Sequence, residues 1–243
     1  MVMNQMVQLM KQLSGKISPN VYASVQQQNS ASQVAFLRQL QRELKREDVL
    51  EIPLDELQVV VFDLETTGFY PDKGDKILSI GAVKMTGANP LEETFYSLVH
   101  SQDQPSEEIE QLTGIKKEEL QEAPPLERVL EQFYKFIQRD TLVAHHAKHE
   151  RSFMQHATWS VTRTSFQHRI VDTAFLTKIV SPEKELVTLD ECCRHFGIEV
   201  KNRHHALSDA VMTAKLWGEN IQHIQQLGFQ HLGDVYAALA KMK

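Results

Sequence analysis

The stretch Val59-Val60-Val61-Phe62-Asp63-Leu64-Glu65-Thr66-Thr67-Gly68 decides the fold, because a run of four apolar residues ends there in two acids. Val and Phe are typical of a buried strand, and Thr-Thr-Gly indicates a turn. Side chains two apart in a strand share a face, so Asp63 and Glu65 stand together while Leu64 points away. Two carboxylates at the end of a buried strand favour a hard cation such as Mg²⁺ between them. The alternative is a strand end with two solvated acids.

Length and composition indicate one large domain, or one domain with an extension. The 243 residues are 42% apolar. They contain no apolar run of about 18 residues, which predicts no membrane span. The N-terminus lacks a secretory signal pattern, so we expect a cytoplasmic protein. The net charge of −6 argues against broad duplex binding through a basic surface, but it allows an enzyme that grips a nucleic-acid end through metal.

The two cysteines of the chain, Cys192 and Cys193, are adjacent and lie in a helical pattern. This arrangement predicts two reduced thiols rather than a disulfide or a zinc site. No disulfide framework is therefore expected to stabilise the fold.

Residues 1–57 differ from the rest of the chain, because they are rich in Gln, Asn and Ser and carry apolar residues at helical spacing. The clearest apolar stripe consists of Val34, Phe36, Leu37, Leu40 and Leu44. We interpret residues 1–57 as an N-terminal helical extension packed on the main domain. The alternative is an arm that docks on a partner such as a polymerase or a helicase. Pro53 marks the predicted boundary.

Residues 58–226 predict an α/β fold with a mixed five-stranded sheet flanked by helices. After the opening strand, the strand patterns are Lys76–Met85, Glu93–Val99, Leu142–Ala144 and Arg169–Asp172. Short turns join the first three strands, which indicates antiparallel pairing, and helices separate the later ones. Residues 227–243 predict a C-terminal helix packed on the domain.

Two further stretches carry residues suited to chemistry. One is Leu142-Val143-Ala144-His145-His146-Ala147-Lys148-His149-Glu150-Arg151-Ser152-Phe153-Met154, and the other is His204-His205-Ala206-Leu207-Ser208-Asp209. In the second, His204 lies at the mouth of a predicted helix and Asp209 lies in its second turn. A loosely held histidine at such a place can transfer protons. We expect His205 to face solvent.

These three stretches, in this order, resemble the three motifs of the DEDDh exonuclease family, which includes the proofreading epsilon subunit of bacterial DNA polymerase III, RNase T and oligoribonuclease. Asp63 and Glu65 match the first motif. Residues 142–154 resemble the second, usually Ala-His-Asn-Ala followed by Phe-Asp. His204 and Asp209 match the third, His-x-Ala-x-x-Asp. The resemblance spans about residues 58 to 222.

The resemblance implies a ribonuclease-H-like fold and removal of nucleotides from the 3′ end of single-stranded DNA, with two Mg²⁺ or Mn²⁺ ions. His204 would accept the proton of the attacking water. The metal ligands and catalytic acids implied are Asp63, Glu65, Glu150 and Asp209. The residues implied to bind the terminal nucleotide are Leu64, Thr66, Thr67, Phe69 and His145.

The second motif departs from the family pattern at three positions. His146 stands at the usual Asn, His149 at the usual Phe, and Glu150 at the usual Asp. Glu150 keeps the charge and the oxygen ligands but reaches one methylene further, and Asp172 is the next carboxylate to consider. The histidines 145, 146 and 149 also allow a zinc site as an alternative.

Two other functions stay open from the sequence. One is an exoribonuclease, because sugar selection depends on contacts with the 2′-OH. The other is a binding module that Glu150 has silenced and that docks on a polymerase or helicase through residues 1–57. The four intact residues Asp63, Glu65, His204 and Asp209 argue against a silenced site.

Overall fold

The computed structural model describes residues 49–241, so the helical pattern predicted for residues 1–48 lies outside the described part. The five strands are β1 (Gln58–Thr66), β2 (Ile77–Thr86), β3 (Asn89–Leu98), β4 (Thr141–Ala144) and β5 (Ile170–Asp172). They form one sheet in the order β3-β2-β1-β4-β5. The β1–β2 and β2–β3 pairs are antiparallel, and the β1–β4 and β4–β5 pairs are parallel. The predicted mixed five-stranded sheet is therefore confirmed.

Helices occupy the segments between and after the later strands. They are α1 (Glu107–Thr113), α2 (Lys117–Glu122), α3 (Leu126–Ile137), α4 (Lys148–Thr162), α5 (Thr173–Val180), α6 (Leu189–His195), α7 (Ala206–Gln226) and α8 (Leu232–Lys241). Within residues 49–241, none of these helices is long and apolar enough to cross a membrane. Cys192 and Cys193 are buried free thiols in α6, as predicted.

The alternation along β1 sorts its side chains onto two hydrophobic layers. Val60, Phe62 and Leu64 pack in one layer with residues of α3 and α4. Val59 and Val61 pack in the other layer with residues of α5, α7 and α8. By the same alternation, the two acids of β1 lie on the face that α7 covers.

The segment just before β1 packs on the domain. Leu54 and Leu57 are fully buried, and the carbonyl of Leu50 accepts a hydrogen bond from the N–H of Gly233 at 3.0 Å. The division of the chain at residue 57 stays a prediction, because residues 1–48 lie outside the described part. A truncation that preserves these contacts begins before Leu50. At the other end, α8 buries Leu232 and Val235 against the second layer.

One buried histidine couples stability to pH. His168 lies between the rings of Phe166 and Tyr134, at centroid distances of 5.6 and 5.4 Å. Its Nε2 donates to the carbonyl of Gln138 at 2.9 Å, and burial lowers its pKa to about 4. The unfolded chain binds this proton with an ordinary pKa near 6.5, so the folded state loses stability as the pH falls from there towards 4.

We expect this group to remove up to about 3 kcal/mol from the free energy of unfolding between pH 7 and pH 4. Urea unfolding across this range measures the loss. The variant His168→Phe should show a shallower decline, because phenylalanine takes up no proton. An equally steep decline in the variant would show that groups other than His168 cause the pH dependence of the free energy of unfolding.

Candidate active site

Three acids from two elements meet at the end of β1. Asp63 and Glu65 come from β1 and Asp209 from the first turn of α7, and one carboxylate oxygen of each lies within 4.8 Å of the others. Glu65 is only 7% exposed and Asp63 is half-buried, so this strand end does not carry two solvated acids. Leu64 points into the opposite layer, as the alternation predicts.

Burial and mutual repulsion raise the pKa of the two carboxyls of β1. Burial first, and then the charges of Glu150, Glu65 and Asp209, raise the pKa of Asp63 well above its usual range. Burial and the charge of Asp209 raise the pKa of Glu65 to about 7. A site with these properties favours any cation that can replace the protons.

A glycine on β2 allows α7 to come this close. Gly81 pairs with Asp63 in the sheet, and a β-carbon built on it would lie 2.2 Å from the backbone of Ala206 and Leu207. The start of α7 therefore rests directly on the backbone of β2. This contact brings Asp209 to the acids of β1.

The variant Gly81→Ala is expected to displace the start of α7, because the contacting atoms are backbone and cannot rotate away. A displacement of about 1 Å can cost on the order of 10²-fold in rate. We expect that loss in the rate of the nucleotide removal that the family resemblance implies, together with a smaller rise of the melting temperature on adding Mg²⁺.

Gly218→Ala is the matched control, since a β-carbon there meets the carbonyl oxygen of Ala88 at 2.7 Å, on the same helix but nine residues after Asp209. Gly218→Ala should lower the melting temperature but keep the wild-type rise of the melting temperature on adding Mg²⁺. Equal metal responses in both variants would show that Gly81 does not position the acids.

Glu150 of α4 faces the same acids from the second motif. It is 4% exposed, and its Oε2 has no hydrogen-bond partner among residues 49–241. Burial raises its pKa to about 8, and its charge is the largest single charge acting on Asp63. Its carboxylate lies outside the 4.8 Å group of three. The carboxylate of Glu150 is thus close enough for its charge to act on Asp63, but it lies outside the group formed by Asp63, Glu65 and Asp209.

Asp172 is engaged elsewhere. Its carboxylate accepts the backbone N–H of His146 and of Ala147 at 3.0 Å, and that of Ala174 at 2.9 Å. It therefore fixes the turn before α4 and caps α5, so its carboxylate is less available to the site than that of Glu150. His146 has a φ of 56°, a left-handed conformation that Asn, the usual family residue here, adopts more readily than most residues.

His204 occupies a strained turn directly before α7, with a φ of 62°. Its backbone N–H donates to Oδ2 of Asp209 at 3.1 Å. Helix α7 begins at Ala206, so Asp209 lies in the first turn of the helix rather than in the predicted second turn. The N–H of His204 therefore orients the carboxylate of Asp209.

Arg203 is a residue that the motif analysis missed. Its guanidinium donates to Oδ2 of Asp209 and, at 3.0 Å, to Asp190 on α6. Oδ1 of Asp209 is buried and has no partner in the described part of the chain. Arg203 thus holds one oxygen of Asp209 and leaves the other free. The sequence could have indicated Arg203 as a site residue, because it directly precedes His204 of the third motif.

His205 does not face solvent, which corrects the expectation from the sequence. Its ring stacks on Tyr96 of β3 at 4.7 Å, and its Nδ1 is buried. Strand β3 extends far enough along the sheet to cover the start of α7. The sequence around His205 does not indicate a contact with a strand so far away in the chain.

The zinc alternative lacks support in residues 49–241, where the three acids are the one group that could hold a metal ion. His145 bonds through Nδ1 to the hydroxyl of Thr173 at 2.8 Å. His149 lies against the ring of Phe69 at 5.8 Å and bonds to Thr66. His145 and His146 both contact the carbonyl of Val187, whereas His149 contacts Thr66 and Phe69, so the three histidines do not form one group.

The turn after β1 presents an aromatic surface beside the acids. Phe69 is 77% exposed and Tyr70 also faces solvent. The hydroxyl of Thr66 donates to the carbonyl of Gly68 at 2.7 Å, and that of Thr67 donates to Asp75 at 3.2 Å. These bonds stiffen the turn. Of the residues predicted to bind substrate, only Leu64 has its side chain in the core, so it could contribute only through its backbone.

The chain resembles known exonucleases in sequence. A family model described as Exonuclease matches residues 60–217. The PolC-type DNA polymerase III of Caldanaerobacter subterraneus subsp. tengcongensis is 30% identical over 182 residues, which cover 75% of this chain and 13% of that protein. The DNA polymerase III epsilon subunit of Aquifex aeolicus is 31% identical over 179 residues, covering 73% of this chain and 86% of that protein. The chain spans 13%, 11% and 27% of the length of the first three curated relatives.

The chain also resembles a solved exonuclease in fold. The structure of Exonuclease X in complex with 5′ overhanging duplex DNA superimposes with a TM-score of 0.56 at 19% identity, covering 73% of this chain and 98% of that one. This likeness confirms the ribonuclease-H-like fold.

Proposed function

The chain belongs to the exonuclease family whose model matches residues 60–217, and from that premise we propose that it removes nucleotides from the 3′ end of single-stranded DNA by metal-dependent hydrolysis. The convergence of Asp63, Glu65 and Asp209, with Glu150 beside them, carries the proposal. Intact motifs on β1 and α7 supply the first three acids, and α4 supplies Glu150. We place the protein in the cytoplasm, where relatives named as DNA polymerase III subunits would work.

The donor set fits two Mg²⁺ or Mn²⁺ ions. All four side chains offer carboxylate oxygens, which hard divalent cations prefer. Oδ1 of Asp209 and Oε2 of Glu150 are buried and lack partners among the described residues, as ligands awaiting a cation would. Such ions would supply positive charge for both the attacking and the leaving oxygen of phosphodiester hydrolysis.

The protein's own residues would transfer the proton, hold the acids in place and bind the terminal nucleotide. His204, next to the acids, would accept the proton of the attacking water. Arg203 would hold Asp209 in place through its link to Asp190. The exposed ring of Phe69 would stack on the terminal base, and such stacking tolerates any sequence. The backbone of Thr66 and Thr67, with His145, would position the terminal nucleotide.

The substrate class follows from charge and from the relatives. A net charge of −6 disfavours an extended protein surface that binds duplex nucleic acid. The curated relatives are named as parts of DNA polymerase III, which favours DNA over RNA. A polymerase or helicase partner reached through residues 1–57 stays a prediction.

A substrate competition tests this proposal. DNA and RNA oligomers of one sequence, single-stranded and duplex, are digested with Mg²⁺, with Mn²⁺ or with EDTA. We expect single-stranded DNA to be degraded at least about tenfold faster than RNA in either metal, since a factor of ten needs only about 1.4 kcal/mol of discrimination. Equal or faster loss of RNA would indicate an exoribonuclease. Tight binding of every oligomer without degradation would indicate a binding module.

The Glu150 variants test the fourth acid. If Glu150 is a ligand, Glu150→Gln should lose on the order of 10²-fold in rate, because a neutral amide is a poorer partner for Mg²⁺. Glu150→Asp should stay active, since it restores the family residue. Steady-state rates across Mg²⁺ and Mn²⁺ titrations measure both. Wild-type rates for Glu150→Gln at low metal would remove Glu150 from the site.

A further inference from the structure

The turn after β1 carries a second exposed aromatic ring next to Phe69. Tyr70 is 56% exposed, and the Nζ of Lys73 lies 4.3 Å from the centroid of its ring. Lys73 is itself exposed and forms no salt bridge within residues 49–241. A ring and a cation held together in this way offer stacking area and positive charge to the same ligand.

The backbone of the turn places this cation over the ring. Residues Pro71–Lys73 form a short 3₁₀ helix, in which the N–H of Lys73 donates to the carbonyl of Tyr70 at 2.9 Å. Side chains three residues apart eclipse each other in a helix of this kind. The contact between Lys73 and Tyr70 therefore follows from the local backbone.

A carboxylate inside the turn fixes the segment that carries both rings. Oδ2 of Asp75 accepts a hydrogen bond from the N–H of Tyr70 at 2.9 Å, and Oδ1 accepts one from the hydroxyl of Thr67 at 3.2 Å. The N–H of Thr67 also donates to the carbonyl of Lys76 at 2.9 Å. Phe69 and Tyr70 are thus presented on a preorganised loop, so a ligand that binds them orders little further backbone.

The two rings follow one another along the chain that leaves β1. The ring of Phe69 contacts His149, the neighbour of Glu150, at 5.8 Å, whereas the ring of Tyr70 contacts Lys73. Consecutive Cα atoms are about 3.8 Å apart, close to the roughly 3.4 Å between stacked bases of one DNA strand. A strand whose terminal base stacks on Phe69 therefore brings its next base within reach of Tyr70.

We propose that Tyr70 and Lys73 form a subsite for the second nucleotide from the 3′ end, with its base against the ring of Tyr70 and an adjoining phosphate at the ammonium of Lys73. This inference rests on the proposed function, because it takes the terminal base to lie on Phe69. Asp75 is the positioning residue of the subsite. The ligand is a single-stranded DNA end of any sequence, since stacking tolerates every base.

Fluorescence anisotropy of a 5′-labelled DNA oligomer tests the stacking contact on the full chain. All variants are made in the Asp63→Asn background with Mg²⁺, which keeps the oligomer intact while it is bound. Tyr70→Leu should raise the Kd about tenfold, the scale of one stacked base, and Tyr70→Phe should keep the starting Kd. An unchanged Kd in Tyr70→Leu would overturn the subsite. A wild type that binds the oligomer but never shortens it would contradict the proposed function and not the subsite.

An oligomer that lacks the base of its second nucleotide from the 3′ end identifies what the ring contacts. On this oligomer, Tyr70→Leu should change the Kd by less than about twofold, because the contact is already lost. An oligomer that lacks a base far from the 3′ end is the control and should still show the loss of about tenfold. An equal loss on all of these oligomers would show that Tyr70 acts through the fold, which would also overturn the proposal.

Lys73→Gln tests the phosphate contact. The slope of log Kd against log salt concentration should fall by about 0.7, the value for one phosphate contact on a single strand. Lys84→Gln is the matched control, because Lys84 also lies over a ring, that of Phe136 at 5.3 Å, but pairs with Val60 near the other end of β1. It should keep the starting slope. An unchanged slope in Lys73→Gln, or an equal fall in both variants, would overturn the phosphate contact and with it the proposed subsite.

Discussion

Replacing Asp63 by Asn should lower the exonuclease rate by on the order of 10³-fold, the scale seen when a preorganised electrostatic group is removed from an active site. The carboxylate of Asp63 lies within 4.8 Å of those of Glu65 and Asp209, and the charge of Glu150 also acts on it. Asparagine keeps the shape but loses the charge that would hold two cations.

The same change should alter stability in a metal-dependent way. The folded state raises the pKa of Asp63, so without metal its carboxyl costs stability as the pH rises through that raised pKa. At neutral pH and in EDTA, Asp63→Asn should therefore melt at or above the wild-type temperature. Mg²⁺ at a hundred times its Kd should stabilise the wild type by about 2.7 kcal/mol, and the variant by much less.

Asp55→Asn is the control for this variant, because Asp55 is exposed and precedes β1 at its other end. It should keep both the activity and the stabilisation by Mg²⁺. Wild-type activity in Asp63→Asn would remove Asp63 from the metal site.

Replacing His204 should be the next most damaging change. Loss of a residue that transfers a proton costs roughly 10²–10⁴-fold in rate. We choose His204→Asn, because Asn tolerates the left-handed backbone at this position better than Ala does. The stabilisation by Mg²⁺ should stay at the wild-type level, since the backbone N–H that orients Asp209 is kept.

His156→Ala is the control for His204, because His156 is an exposed histidine on α4. It should leave the rate unchanged. A fall of both rate and Mg²⁺ stabilisation in His204→Asn would show that His204 positions Asp209 instead of transferring the proton.

Local patterns predicted much of this molecule. The alternation in residues 59–65 placed Asp63 and Glu65 on one face, because a strand fixes the direction of each side chain. The strand and helix patterns predicted the sheet, and the order of the motifs indicated which elements meet. These features depend on short-range geometry that the sequence records directly.

Contacts between distant residues escaped prediction. Gly81 allows α7 to rest on β2, yet a lone glycine in a strand does not indicate which element approaches it. Arg203 and Asp190 meet only because α6 and the turn before α7 are neighbours. His205 is covered by Tyr96 from a strand more than a hundred residues earlier. Such pairings arise from the assembled fold.

Digestion of a single-stranded DNA oligomer labelled at its 5′ end tests the central claim most directly. The wild type with Mg²⁺ should give a ladder of labelled fragments that shorten one nucleotide at a time from the 3′ end. EDTA or Asp63→Asn should leave the oligomer intact. Release of the labelled 5′ nucleotide before the ladder forms, or an unchanged ladder in EDTA, would contradict a metal-dependent 3′→5′ exonuclease.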